Sequence, residues 1–284
     1  MMNKQTSIDE QVISGGEGHL STFPRDFTYD MYDALLEAFL EEGYTFVTVR
    51  EYLLKKDLPD KLVVFRHDVD RKPENALDFA RIEADKGVSS TYYFRTIGKT
   101  FKPSLIHEIE SMDHEIGYHY EDMDRAGGDV DTAMKFFADH LERLRIHVNI
   151  DTVCMHGNPL TSHDNRDIWS NDTSQFDQFD LAGEAYLSVD FTDLMYFSDT
   201  GRVWRDGALK IKDYPVGADT KSVQVDGTVD LIDHVRNGDT DRFYLLTHPN
   251  RWAGDPIELF IEASKDAVTN VGKYILRATT HRPQ

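Results

Sequence analysis

The chain has almost no cysteine. Cys154 stands alone among 284 residues, so no internal disulfide forms and no thiolate cage can hold zinc. A solitary cysteine of this kind is ordinarily a small buried hydrophobe. Positive charge is scarce as well: 31 Lys and Arg face 51 Asp and Glu, a formal net charge of −20. Such a polyanion is repelled by nucleic-acid phosphates and by anionic membrane surfaces, so neither is expected as a partner. Long apolar runs are missing, and no stretch approaches the roughly 18 residues a membrane span needs. Residues 1–17 are polar and lack the apolar centre of a signal peptide, which sets the expectation of a cytoplasmic protein. The chain has no Gly-x-x-x-x-Gly-Lys, no Gly-x-Gly-x-x-Gly opening a helix, and no Gly-x-Ser-x-Gly. Nucleotide binding and serine-nucleophile chemistry therefore have no support.

What the chain does have is alternation. Thr28 can cap a helix running to about Glu42, with Met31, Leu35, Leu36, Phe39 and Leu40 on one face and Gly43 as its stop. Strands are predicted at Tyr44–Val49, 61–69, Ser90–Arg95, Glu115–Tyr120, Val148–Met155, Tyr186–Asp190, Leu209–Tyr214 and Arg242–Thr247. Helices are predicted at Val49–Lys56, from Pro73 to Lys86, from Pro103 to Asp113, at Val130–Ile146, Val229–Asn237 and from Pro256 to Thr279. Crossovers of this length suit parallel pairing and an α/β domain. Residues 1–24 read as a loose arm and 25–284 as a single domain. The polar connection from Gly157 to Gly183 is long enough to suggest a functional loop.

The stretch that organises the rest is Leu62-Val63-Val64-Phe65-Arg66-His67-Asp68-Val69-Asp70-Arg71. Its apolar start reads as a strand buried on both faces, and its polar end falls where α/β enzymes keep their chemistry. Strand side chains alternate, so Asp68 and Asp70 point the same way. Two like charges aimed at one place invite a cation or a shared proton. Three more strand ends carry imidazoles: His119, His156 and His248. A barrel delivers such sequence-distant groups to one face.

In these motifs the chain resembles the polysaccharide deacetylases, the NodB homology domain, over about residues 60–250. Phe65-Arg66-His67-Asp68-Val69-Asp70 stands where that family has its Asp pair. Ser90-Thr91-Tyr92-Tyr93-Phe94 stands for an Ala-Thr-Phe-Phe strand, Glu115-Ile116-Gly117-Tyr118-His119 for Glu-Ile-Gly-x-His, and Leu245-Leu246-Thr247-His248 for the last strand and its His. The resemblance implies a distorted, incomplete (β/α) barrel and a divalent metal, with zinc as the expected ion. It implies Asp68 as catalytic base, His248 as general acid, and Asp70 and His119 as metal ligands. The substrate it implies is an N- or O-acylated saccharide or a related small amide.

Two positions depart from the pattern. Met123 occupies the place of the family's second metal-binding His, and a thioether does not replace imidazole on a hydrolytic divalent metal. Glu121 or Asp122 could supply an oxygen instead, or His156 could reach in from the next strand as the third ligand. His156 lies in Met155-His156-Gly157-Asn158-Pro159, where the family carries Arg-x-Pro. At the expected rim, Asp199, Arg202 and Trp204, with Arg251 and Trp252, form the candidate substrate-binding set: a ring for a sugar face and guanidinium groups for a carboxylate or sulfate. A β-turn with Trp204 packed on the core is the competing expectation. Two other functions stay open at this level: a non-catalytic carbohydrate-binding protein on the same fold, and a metal-independent amidohydrolase. Oligomeric state is left open.

Overall fold

The computed structural model describes residues 25–280, except 160, 170–173, 208–209, 211, 214 and 216–222. The arm expected at 1–24 lies outside the described residues. Eight parallel strands form one sheet: β1 (Thr45–Val47), β2 (Leu62–Val69), β3 (Thr91–Phe94), β4 (Glu115–Tyr120), β5 (Thr152–Met155), β6 (Gly183–Glu184), β7 (Met195–Ser198) and β8 (Arg242–Thr247). The order is β6-β5-β4-β3-β2-β8-β7, with β1 added to β2.

All eight residues of β2 are buried, as its uninterrupted apolar start requires for a strand covered on both faces. It pairs with β1, β3 and β8, so the Asp-bearing strand is the centre of the sheet. Its outward side chains, Phe65 and His67, meet Tyr32 and Phe79. These come from the covering helices α1 (Tyr29–Glu41) and α3 (Pro73–Asp85); α2 (Val49–Leu54) lies between them in the chain, and α4 (Pro103–Glu110), α5 (Asp122–Arg125), α6 (Val130–Arg145), α7 (Gln175–Gln178), α8 (Thr228–Asn237) and α9 (Pro256–Thr280) follow. The inward side chains of β2 are Arg66 and Asp68. Gly117 on β4 is needed on that inner side. A Cβ there would lie 2.3 Å from the Tyr93 ring, which crosses the barrel interior.

The sheet curls until its edges nearly meet. The Tyr244 hydroxyl on β8 donates to the Ala185 carbonyl, just past β6, at 3.0 Å. The Tyr186 and Tyr196 hydroxyls, beyond β6 and on β7, lie 3.4 Å apart. Among the described residues no ladder joins β6 to β7, so side chains rather than backbone bonds bridge the gap. The fold is a distorted, incomplete (β/α) barrel. No helix among the described residues is long and apolar enough to cross a membrane.

Two predicted strands are misplaced. Tyr186–Asp190 is not extended; the strand is the two-residue β6 just ahead of it. Leu209–Tyr214 lies partly outside the described residues, and Lys210, Lys212 and Asp213 within it are not in a strand. The strand that pairs with β8 is instead β7, at Met195–Ser198. The turn α5 (Asp122–Arg125) was not anticipated. The last helix, α9 (Pro256–Thr280), is tied to the loops at the barrel mouth. Arg71 and Arg202 pair with its Asp266, and Lys72 pairs with Glu258 and Glu262.

Candidate metal centre

Strand alternation and the curl of the sheet bring Asp70, His119 and His156 together. Asp70 lies just past β2, His119 on β4, and His156 just past β5, where its N–H extends the pairing by donating to Tyr120 O at 2.7 Å. Asp70 Oδ1 is 3.3 Å from His119 Nε2 and 3.4 Å from His156 Nε2. Ligand atoms from the three residues fall within 4.8 Å of one another.

The orientation of His119 is fixed by its other nitrogen. Its Nδ1 is 3.1 Å from the Cys154 carbonyl oxygen. A carbonyl only accepts, so Nδ1 carries a proton, and the ring is held with Nε2 facing Asp70. Asp70 Oδ1 is itself buried without a hydrogen-bond partner. His156 is held neutral, its pKa pushed down to about 3 chiefly by burial and further by the neighbouring His119 and Arg95, against the pull of Asp70. Asp70 Oδ1, His119 Nε2 and His156 Nε2 thus face one another at the mouth of the barrel. One carboxylate and two imidazoles, with room for water, are a donor set that fits a catalytic divalent ion such as zinc.

The two alternative oxygen donors have other duties. Asp122 accepts from the Tyr118 hydroxyl at 2.8 Å and lies 2.7 Å from His140 Nδ1. Glu121 is held by Arg95 and Arg125. Met123 is buried in the core on α5.

Asp68 sits below this point, 3% exposed. Its Oδ1 is 3.1 Å from Arg66 Nη1, and its Oδ2 is 3.8 Å from His119 Nε2. Arg66 is fully buried within the barrel, its guanidinium 4.4–5.8 Å from the ring centres of Tyr186, Tyr244 and Tyr93. A buried cation one side-chain repeat away keeps Asp68 in reach of a permanent opposite charge. The Arg66 guanidinium also touches Cys154, whose thiol is pushed up by burial. Cys154 is therefore a buried thiol, not an exposed thiolate.

His248 faces Asp70 across the cleft, Nε2 to Oδ2 at 3.9 Å. Its Nδ1 is 2.6 Å from Asp199 Oδ1, which orients the ring and leaves Nε2 toward the cleft. Asp199 also accepts the His248 backbone N–H at 3.0 Å and the Trp252 indole N–H at 2.8 Å. Burial raises its pKa, but His248, Arg251 and these hydrogen bonds reverse the shift and hold the carboxyl below its ordinary value.

These contacts correct the expected rim. Asp199 serves His248 and is fully buried. Trp252 and Trp204 are both fully buried, and the Trp204 indole donates to Thr228 Oγ1 at 2.9 Å. No face of either ring is open to a sugar. Arg202 is committed to Asp266 at 2.8 Å. Of this set only Arg251 lines the cleft, while donating to the Asp199 carbonyl at 2.7 Å.

The cleft is lined by Asp68, Asp70, His119, His156, His248 and Arg251, and also by Tyr186, Thr200, Lys212 and Asp213. Asp213 went unrecognised in the sequence because it lies in a stretch that read as strand. Hydroxyls of Tyr186, Tyr196, Ser198 and Thr200 all donate to it. Although burial raises it, Lys210, His248 and those donors hold it far below the usual carboxylate range.

No family model matches the chain, and no curated protein matches it significantly. Among solved structures it is similar to a CE4 esterase of Streptococcus mutans, at 11% identity over 80% of this chain and 87% of that one, with a TM-score of 0.43.

Proposed function

We propose that the protein is a metal-dependent hydrolase that removes an acyl group from an N- or O-acylated saccharide or a related small amide. The observation that carries this reading is the unpartnered Asp70 Oδ1, buried between two imidazole Nε2 atoms at the mouth of a parallel barrel. When bound there, a divalent ion supplies Lewis acidity toward a carbonyl oxygen and a water molecule. Zinc is the ion the donor set suits best.

This chain's own groups supply the proton traffic. Asp68 is the base: its Oδ2 faces the ligand cluster, and Arg66 fixes the other oxygen. His248 is the acid: its Nδ1–H rests on Asp199, and Nε2 is left to donate to the leaving amine or alcohol. Asp199, fully buried, holds the ring in this orientation. Buried Trp204 and Trp252 remove the aromatic platform that a purely carbohydrate-binding role would use.

The test is elemental analysis of the purified full-length protein together with assays on small acetyl esters and N-acetyl sugars. Stoichiometric divalent metal is expected, with activity lost on chelation and restored by zinc, cobalt or nickel. Hydrolysis that survives exhaustive chelation would instead favour a metal-independent amidohydrolase.

A further inference from the structure

We propose that Glu121 is the positioning residue that fixes His156 as a metal ligand, doing for it what the Cys154 carbonyl does for His119. The inference rests on the cation-binding reading above.

His156 has little freedom in its backbone. Its N–H is tied to Tyr120 O, and its carbonyl accepts from Asn165 Nδ2 at 2.8 Å. Only the ring orientation and the choice of tautomer remain. Neutral imidazole carries one N–H, and a nitrogen that offers its lone pair to a cation cannot hold it. With Nε2 turned toward Asp70, the proton belongs on Nδ1. That atom is buried and has no hydrogen-bond partner, and Glu121 Oε2 is 3.5 Å away. In the proposed role this pair closes to a hydrogen bond when Nε2 holds a cation.

Glu121 is built to stay where it is. Arg125 donates to Oε1 through Nε at 3.1 Å and Nη2 at 2.6 Å, and Arg95 Nη2 donates to Oε2. Arg95 also donates to the Asp70 carbonyl at 3.1 Å. One guanidinium therefore ties the loop that carries Asp70 to the acceptor that faces His156. The two imidazoles are braced by different acceptors, a neutral carbonyl for His119 and a carboxylate for His156. A carboxylate acceptor makes the histidine the more basic ligand and locks its tautomer.

The experiment uses the full-length protein stripped of metal, with zinc affinity read by competition against a chromophoric chelator and coordination read from the visible bands of the cobalt(II) form. His156→Ala is expected to abolish tight zinc binding. Glu121→Ala is expected to weaken it by roughly 10–100-fold, with the cobalt band intensity, and so the ligand number, kept. Glu121→Gln is nearly isosteric and guards against misfolding; it retains an acceptor without the charge and should show a smaller loss. Wild-type zinc affinity in both Glu121 variants would overturn the positioning role while leaving the metal centre intact. A change of cobalt band intensity in the Glu121 variants would overturn it too, making Glu121 a direct ligand. Wild-type zinc affinity in His156→Ala would overturn the three-ligand centre itself.

Discussion

Two polar clusters flank strand β2, one on each face, and they are built on opposite principles. On the outer face His67 lies 2.7 Å from Glu83 through Nε2 and 2.7 Å from the Thr247 hydroxyl through Nδ1. Glu83 also accepts from Ser90 Oγ and Tyr92 OH, each at 2.7 Å, and from Tyr32. Every polar atom there has a partner. On the inner side, Asp70 Oδ1, three residues beyond His67 and just past the end of β2, and His156 Nδ1 opposite it are buried without one. Both clusters hold histidine and carboxylate; the outer one is buried, while in the inner one Asp70 and His156 are partly exposed. The satisfied cluster is a staple between β2, α3, β3 and β8. The inner cluster keeps polar atoms without partners, as the metal site proposed above requires.

That contrast can be broken in three ways. The largest effect is expected from Asp70→Asn: zinc binding and hydrolysis are lost together, because only two ligands remain. Its metal-free form should lose less unfolding free energy than a Glu83 variant, as urea titration with added chelator would show. Equal or greater destabilisation would mean that the inner cluster is a staple as well.

Next comes His248→Ala, or Asp199→Asn, which should lower turnover by about 10²–10⁴-fold while leaving zinc affinity unchanged. A parallel loss of zinc would instead place His248 among the ligands.

Last comes Glu83→Gln, which removes one partner of a buried pair. It should cost about 3–5 kcal/mol of stability and leave zinc affinity as it was. The same residue predicts an acid limit. Burial raises Glu83, but the fields and hydrogen bonds of His67, together with His114 and Tyr32, more than reverse this and hold it at about 2 against an ordinary 4.5. A depressed carboxyl stabilises the fold fully above its unfolded value. That contribution is therefore present above pH 4.5 and is lost as pH falls toward 2. The acid-unfolding midpoint of Glu83→Gln should lie at higher pH and its dependence across this window should be flatter, as circular dichroism against pH would record.

Much of this architecture was legible from residue pattern. β2, β4 and β8 were readable because each is an apolar or alternating run of at least 6 residues. α3 was readable because Pro73 opens it and Gly87 follows its end. β6 was not readable, since 2 residues carry no periodicity. β7 was hidden because its Tyr and Phe sit in a segment otherwise rich in turn residues. Trp204 and Trp252 were misread for a different reason. An indole beside polar residues gives no sign of whether it points to solvent or beneath them, and here Thr228 and Asp199 draw both indoles inward.

Sequence alone settled which residues of β2 share a face, because alternation is a property of the extended backbone and needs no neighbours. It settled in the same way that acidic and imidazole groups end several strands. Only the tertiary structure decided that His156 joins Asp70 and His119, that Glu121 stands behind it, and that Asp199 serves His248. Those choices depend on how far the sheet curls and how its loops fold over the mouth. Both are set by the packing of side chains far apart in the chain.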